Sequence, residues 1–330
     1  MKEQMKSALS FFGRFALSGG LLFWLFKNIN WVETINAFKS AEWHLLFGAF
    51  AVNFLINIIC LVRWQIFMQA LDLKAPIGSV FRYFFIGLFG NLFLPTSIGG
   101  DVVKAIGLSN RVGQKPKVVA SILLDRLSGF GGLVVLALTA YVFGHAIIDA
   151  PAVIIPVLVL TVLSLSIGLM LFHDQVYEFC CRIFKRVPRL HVALMEMHAD
   201  VVLMKRRKRT AVGCVAISVL AQVLGAYMYF LIAMALGQKV GFVYFLVFTP
   251  IVCAISFLPS IGGLGFREFG WVHFLKLQGV SQGIAMSISL ISFFFVIVIG
   301  VLGGVLYVTS GPSRRVQCPA EDAATELPQA

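Results

Sequence analysis

The stretch NLFLPTSIGGDVVK, residues 91–104, interrupts an apolar segment with a proline and two glycines and then presents an aspartate and a lysine. A shorter stretch, SFLPSIGGLGFRE at residues 256–268, repeats the order Leu-Pro, Ile-Gly-Gly and charge. Proline removes a backbone donor, and glycine permits tight turns and close approach, so both stretches predict broken helices. Hydrocarbon cannot satisfy a broken backbone, which is tolerated only where it lines a cavity or is buried in protein. The two breaks therefore predict a cavity within the membrane between two half-sites.

The composition around these breaks is that of a polytopic, all-α membrane protein. The 330 residues are 59% hydrophobic and only 13% charged, with a mean hydropathy of +0.91, whereas a soluble domain carries about 25% charged residues. The net charge of +12 fits basic cytoplasmic loops better than a nucleic-acid surface. The six cysteines have no CxxC spacing, and no metal, nucleotide or hydrolase motif occurs. We therefore expect no metal, no cofactor and no enzymatic activity.

Apolar runs predict six full spans and two further segments that end in the breaks. The N-terminal run contains Arg14, which favours a retained first helix over a cleaved signal peptide. The full spans are predicted at about 10–27, 44–62, 118–143, 151–172, 211–236 and 282–309, and the broken segments begin at about 78–98 and 242–258.

Basic residues predict which side of the membrane each connection occupies. Lys2 and Lys6 place the N-terminus inside, and Arg314 and Arg315 place the C-terminus inside. Arg63 and Lys74 place the connection after the second span inside, and the basic residues of 173–209 predict a long cytoplasmic segment. The turns at 144–150 and 237–241 contain few or no basic residues and are predicted outside. The predicted location is the plasma (inner) membrane.

This sidedness makes both broken segments hairpins. The flanks of 78–117 are both cytoplasmic and those of 242–281 both outside, so each segment either enters and returns as a re-entrant hairpin or crosses twice as two short helices. The order of helices then repeats in 10–143 and 151–309, with the second unit inverted. Small residues recur on the helix that closes each unit, SGFGG at 128–132 and GVLGG at 300–304, and they let helices approach closely.

Charged residues accompany the breaks and are candidates for binding. Asp101 and Lys104 are three residues apart and share a helix face. Arg267 and Glu268 hold the matching place after the second break. Asp125 and the adjacent Arg126 lie inside an apolar run, where a charge is costly and marks a functional candidate. The helix that begins near Asp101 is expected to point its first amides at an anion in the cavity.

The rest of the membrane domain, residues 1–312, contains one unusual segment. Residues 173–209 mix apolar and basic positions, which predicts either an amphipathic helix on the cytoplasmic leaflet or a helical loop packed on the domain. Residues 313–330 are polar and are predicted to form a disordered cytoplasmic tail.

The motifs GNLFLPTSIGGDVVKAIGLSNRVG, SILLDRLSG and LPSIGGLGFREFG occur in that order and resemble the flippase-like transmembrane domain of the lysylphosphatidylglycerol synthase/flippase family. The resemblance covers nearly the whole chain and implies a membrane fold with re-entrant segments that moves an amphipathic lipid between leaflets. The sequence carries no cytoplasmic aminoacyl-transferase domain, so synthase activity is not expected. By motif, the implied substrate-binding residues are Asn91, Pro95, Gly99, Gly100, Asp101, Lys104, Asp125, Arg126, Pro259, Gly262, Gly263, Gly265, Arg267 and Glu268.

Two functions agree with these features. In the first, the chain is a translocase whose basic residues pair with a phospholipid or lipid-linked headgroup, while the carboxylates hold the basic residues or meet a cationic headgroup. In the second, it does not transport but presents lipid-linked precursors to a separate glycosyltransferase or lipid-modifying enzyme. An enzyme that uses Asp125 as base is disfavoured because no nucleophile or cofactor motif accompanies it. The sequence leaves the lipid, the oligomeric state and the energy source open.

Overall fold

The computed structural model describes residues 35–36, 38–93, 99–144, 162, 207–256 and 265–309, and the described residues contain helices and no strands. The predicted spans at 10–27 and 151–172 (apart from Val162), most of 173–209, the tail at 313–330 and the breaks themselves lie outside the described residues. The eight principal helices are α1 Trp43–Ala70, α2 Ile77–Phe93, α3 Gly99–Val112, α4 Lys115–Gly144, α5 Lys208–Ala235, α6 Phe242–Ile255, α7 Phe266–Lys276 and α8 Gln282–Val308.

Four helices, α1, α4, α5 and α8, are long and apolar enough to cross a bilayer. Their outer faces carry exposed Phe47, Val212 and Phe294, which is the surface expected against lipid. Helices α2, α3, α6 and α7 have 17, 14, 14 and 11 residues. At about 1.5 Å per residue, each is shorter than a hydrocarbon core of about 30 Å. The chain is therefore an all-α membrane protein with two pairs of short helices beside the breaks.

The helices occur twice in the same order: long, short, short, long. The principal contacts follow this order: α1 packs against α5, α2 against α8 and α6 against α4. Exchanging the first four helices for the last four converts the α2–α8 contact into the α6–α4 contact and returns α1–α5 to itself, whereas α4 packs on α5 much more extensively than α8 packs on α1. The first short helix of each half (α2 or α6) thus packs on the closing helix of the other half (α8 or α4), as an internal two-fold arrangement requires.

Helix α1 is longer than the sequence analysis predicted, and the assignment of Arg63 to a cytoplasmic connection is wrong. The helix was predicted to end at residue 62 because Arg63 was counted as a flanking charge. In the structure it continues to Ala70, and Arg63 is buried at 7% exposure. The helix continues because Arg63 finds a carboxylate partner inside the protein, described below. Lys74 still follows the helix and retains the predicted role.

Small residues allow the close contacts of the closing helices, as the sequence predicted. A Cβ on Gly303 of α8 would lie 2.0 Å from the carbonyl oxygen of Phe85 on α2, and one on Gly300 would lie 2.4 Å from Leu92. On α4, a Cβ on Gly132 would lie 2.4 Å from Ser218 of α5. Real Cβ atoms do not approach so closely, so glycine sets these interhelical distances.

Candidate functional site

A cavity of about 530 Å³ lies between the two halves of the described structure. Its volume falls within the range of small-molecule sites. Part of its wall is apolar, with Ile56, Phe130 and Val296 among the residues that form it. Both hairpins and both closing helices contribute to its wall. The charged residues on the wall are Arg63, Asp125, Arg126 and Arg267.

The first half-site connects α3 and α4. Arg126 on α4 donates from Nε to Oδ2 of Asp101 on α3 over 2.7 Å. The Asp101 side chain is 9% exposed and that of Arg126 is 34% exposed. Asp101 therefore lies behind the wall and holds the guanidinium of Arg126 at the cavity. A charge-assisted bond of this length fixes both orientation and position.

Lys104 lies behind the first half-site and is absent from the cavity wall. Its ammonium is 3.5 Å from Oδ1 of Asp101, which agrees with the predicted shared face. The ammonium also lies 4.6 Å from the ring centre of Phe84 and 5.6 Å from that of Trp64. A Cβ on Gly87 would lie 2.6 Å from the Lys104 stem. Lys104 thus contributes charge to Asp101 and packing to the hairpin, and its nitrogen is turned away from the cavity.

The second half-site connects α7 and α8. Arg267 on α7 pairs with the neighbouring Glu268, which is 0% exposed. Glu268 also accepts from Ser289 Oγ over 3.2 Å, and Arg267 Nε lies 3.3 Å from the same hydroxyl. The guanidinium carbon lies 4.9 Å from the ring centre of Phe293, a cation–π distance. A fully buried carboxylate again holds an arginine on the wall.

In both half-sites a buried carboxylate holds an arginine on the wall, but the arginine comes from a different helix in each. In the first, the arginine belongs to the closing helix α4, and in the second it belongs to the hairpin helix α7. In both, the carboxylate stands in the first turn of the short helix that follows the break. A negative side chain is favourable there because the helix dipole is positive at its N-terminus.

One backbone amide beside each break binds a side chain of the protein, so this amide does not take the anion-binding role that the sequence predicts for the first turn. The N–H of Gly100 donates to Oδ1 of Asn91 over 2.8 Å. The N–H of Gly265 donates to Oε2 of Glu268 over 2.6 Å, and Gly265 has a φ of 93°, which suits glycine. The N–H groups of Gly100 and Gly265 are thus already bonded within the protein. The positive groups on the wall are arginine side chains.

A third buried pair lies within the first half, and its arginine also binds the second half. Arg63 on α1 donates from Nε to Oδ1 of Asp125 on α4 over 2.7 Å, and from Nη1 to Oγ of Ser218 on α5 over 2.8 Å. Asp125 and Arg126 are adjacent in the sequence, but they bind different partners. Successive helical residues point in different directions, so adjacent charges do not face each other.

The structure brings most of the predicted residues together and adds three. Asn91, Asp125, Arg126 and Arg267 line the cavity, whereas Asp101, Lys104 and Glu268 support the wall from behind. Gly99, Gly100 and Gly265 begin the short helices. Pro95, Pro259, Gly262 and Gly263 lie outside the described residues. Sequence reasoning missed Arg63, Ser218 and Ser289. The apolar residues on both sides of Arg63 could have indicated that it lies inside a helix that continues past it.

The charges of the wall favour an anion. Three arginines and one aspartate face the cavity in the described residues. With Asp101, Lys104 and Glu268 behind them, four cations face three carboxylates, so the described cluster keeps a positive excess. Guanidinium groups match phosphate in geometry and bind it through two parallel hydrogen bonds. The arrangement can therefore hold a phosphate-bearing group at the arginines of the cavity wall.

The comparison with known families agrees with this geometry. The family model described as lysylphosphatidylglycerol synthase TM region matches residues 11–304. The chain belongs to this family. The match confirms the resemblance seen in the motifs and extends over both halves of the fold. No curated protein matched the chain. Membership of the lysylphosphatidylglycerol synthase TM region family gives this protein a membrane location and a role related to membrane lipid.

Proposed function

We propose that this protein translocates a phosphate-bearing lipid between leaflets, with the headgroup in the cavity and the acyl or prenyl chains in the bilayer. One observation carries the proposal: Arg126 and Arg267, one from each half, line a single cavity, and a buried carboxylate supports each. The proposal gives the chain a transport role and no catalytic role. It also assigns both termini to the cytoplasmic side of the plasma membrane, as the basic residues predict.

The arrangement supports transport because each half contributes one cation. A phosphate that binds both arginines contacts both halves, and a movement that opens the cavity to one leaflet or the other changes which side has access to it. Paired broken helices in repeated halves form the binding sites of many transporters in this way. The apolar residues of the cavity wall, which include Phe130 and Val296, suit the lipid chains next to the headgroup.

Translocation by reconstituted vesicles tests the proposal. Vesicles with the purified protein receive phosphatidylglycerol with a fluorescent acyl chain, and a membrane-impermeant quencher reports the fraction in the outer leaflet. We expect the Arg126→Gln/Arg267→Gln double variant to move the lipid at least about tenfold more slowly, since hydrogen bonds to charged groups contribute about 1.5–3 kcal/mol each. Equal rates for the wild-type protein and the double variant would contradict the proposal.

Two controls separate loss of binding from loss of folding. Arg209→Ala removes an exposed arginine at the start of α5, so its rate should equal that of the wild-type protein. Arg126→Lys keeps the charge and the contact with Asp101 but loses the planar fork, and should give an intermediate rate. Each variant is compared at equal elution volume in size-exclusion chromatography.

A further inference from the structure

Three polar side chains on the cavity wall, among the residues that the structure describes, each have a buried atom without a hydrogen-bond partner. They are Asn53 on α1, Thr249 on α6 and Trp271 on α7, and all three line the cavity. The atoms without a hydrogen bond are Asn53 Nδ2, Thr249 Oγ1 and Trp271 Nε1. The three residues are 9%, 6% and 0% exposed. Of the five such buried atoms among the described residues, the other two, on Gln65 and Asp101, do not belong to the wall.

The unpartnered atoms have one property in common: each can donate a hydrogen bond. An amide NH₂ and an indole N–H only donate, and a hydroxyl both donates and accepts. Buried donors without partners are rare in native proteins because they lose their bonds to water and gain nothing. Three of them around one cavity are therefore best explained by an occupant that carries uncharged oxygen acceptors.

The carboxylates around the cavity argue against a cationic headgroup. Asp125, which lines the cavity, accepts from Arg63. Asp101 binds Arg126, and Glu268 binds Arg267. Every carboxylate of the described cluster is thus already paired with an arginine. A lipid amine that entered the cavity would meet a positive excess and no carboxylate that lacks a cation.

We propose that Asn53, Thr249 and Trp271 bind the hydroxyl or carbonyl oxygens of an uncharged, polyol-type headgroup beyond the phosphate. The phosphate lies at the arginines, and the polyol (glycerol or a sugar) lies against the three donors. This assignment rests on the proposed function for the position of the phosphate and extends it to the class of headgroup. It separates lipids that share one phosphate charge by their hydroxyl groups alone.

Binding of a matched lipid pair tests the assignment. Phosphatidylglycerol and phosphatidylpropanol have the same phosphate diester charge and differ in the two hydroxyls of the headgroup. Their dissociation constants for the purified full chain are measured by native mass spectrometry, with phosphatidylethanolamine as the amine probe. We expect phosphatidylglycerol to bind about fivefold or more tightly than phosphatidylpropanol, since one net hydrogen bond corresponds to about that factor. We expect phosphatidylethanolamine to bind more weakly than both.

Two variants assign the preference to these side chains. Thr249→Val removes one hydroxyl at nearly constant shape, and Asn53→Leu removes one amide. Either variant should bind phosphatidylglycerol several-fold more weakly and phosphatidylpropanol as tightly as the wild-type protein does. The ratio of the two dissociation constants should therefore approach one. Thr249→Val should also raise the midpoint of thermal unfolding, because it removes a buried hydroxyl without a partner. Thr139→Val, at an exposed threonine of α4, is the matched control and should retain the full preference.

Each result decides the assignment. An equal affinity for the two matched lipids, tighter binding of the amine lipid, no lipid binding at all, or an unchanged preference in both variants would overturn it. The binding assay needs no transport, so its outcome is separate from that of the vesicle assay. Selective binding without translocation would reject the proposed transport and keep the headgroup site. Translocation together with equal affinities for the two matched lipids would keep the proposed transport and reject the headgroup site.

Discussion

At the scale of single residues, the site consists of carboxylates that hold arginines at the surface of a cavity. Glu268 is the most constrained of them, since it is fully buried and binds Arg267, Ser289 and the N–H of Gly265. It therefore does three things at once: it orients a cation, connects α7 to α8 and caps the start of α7. A buried charge that loses its partner is costly because the remaining charge stays desolvated.

We expect Glu268→Gln to lower the stability of the folded protein. The change leaves Arg267 buried at 12% side-chain exposure without its counter-charge, and breaking a buried pair in this way costs about 3–5 kcal/mol. A fall in the midpoint of thermal unfolding in detergent, measured with and without added lipid, checks this. Glu42→Gln is the matched control, because Glu42 pairs with His44 at the exposed start of α1 and should leave the midpoint unchanged. A melting curve identical to that of the wild-type protein would show that the pair is not required.

The residue types of the site were readable from the sequence, but their pairing was not. Charges after the two breaks and inside an apolar run pointed to Asp101, Arg126 and Arg267 because ionisable groups in lipid need a function. The partner of each depends on how a helix is rotated about its axis, which tertiary packing fixes. The sequence therefore predicts Arg63 in a cytoplasmic connection, although Arg63 and Asp125 form a buried pair.

At the scale of helices, glycine sets the spacing of the site. Gly303 lets α8 touch the backbone of α2, so the closing helix of the second half supports the hairpin of the first. Most helix ends lie within a few residues of those predicted, because Pro, Gly and charge mark them in the sequence. The partner of each helix was not predicted, since many apolar faces are equivalent until small residues select the one that approaches most closely.

We expect Gly303→Ala to separate α8 from α2. Its Cβ would lie 2.0 Å from the carbonyl oxygen of Phe85, so one helix has to shift, and overpacking of this kind typically costs about 1–3 kcal/mol. The yield of monodisperse protein and the midpoint of thermal unfolding are the measurements. Gly213→Ala on α5 is the control, since nothing lies within 4 Å of its Cβ. That change should be neutral or raise stability by about 1 kcal/mol, and equal behaviour of the two variants would contradict the packing argument.

At the scale of the whole molecule, the two halves share their order of helices and the pairing of α2 with α8 and of α6 with α4, and the basic residues predict that the halves are inverted. Inversion places the turn between α3 and α4 on the cytoplasmic side and the turn after α7 on the outer side. Both turns are exposed, at Gln114 and at Lys276. The sidedness follows from the positive-inside rule, and it remains a prediction.

Thiol labelling of intact cells checks this inversion. In a background without the six native cysteines, Lys276→Cys should react with a membrane-impermeant reagent added outside. Gln114→Cys should react only after the membrane is permeabilised. Labelling of both positions from the same side would show that the two halves are parallel and would remove the geometric basis for alternating access. Reaction of both after permeabilisation serves as the control for accessibility of the thiols.

Arg63 constrains the motion that the proposed transport requires. Because this guanidinium binds Asp125 in its own half and Ser218 in the other, drawing the halves apart at that seam keeps the ion pair and breaks the bond to Ser218. A hydrogen bond to a charged group contributes about 1.5–3 kcal/mol. Under the proposed function, tilting the short helices against α1, α4 and α5 retains this bond, so we expect the hairpins to move while these three helices stay together.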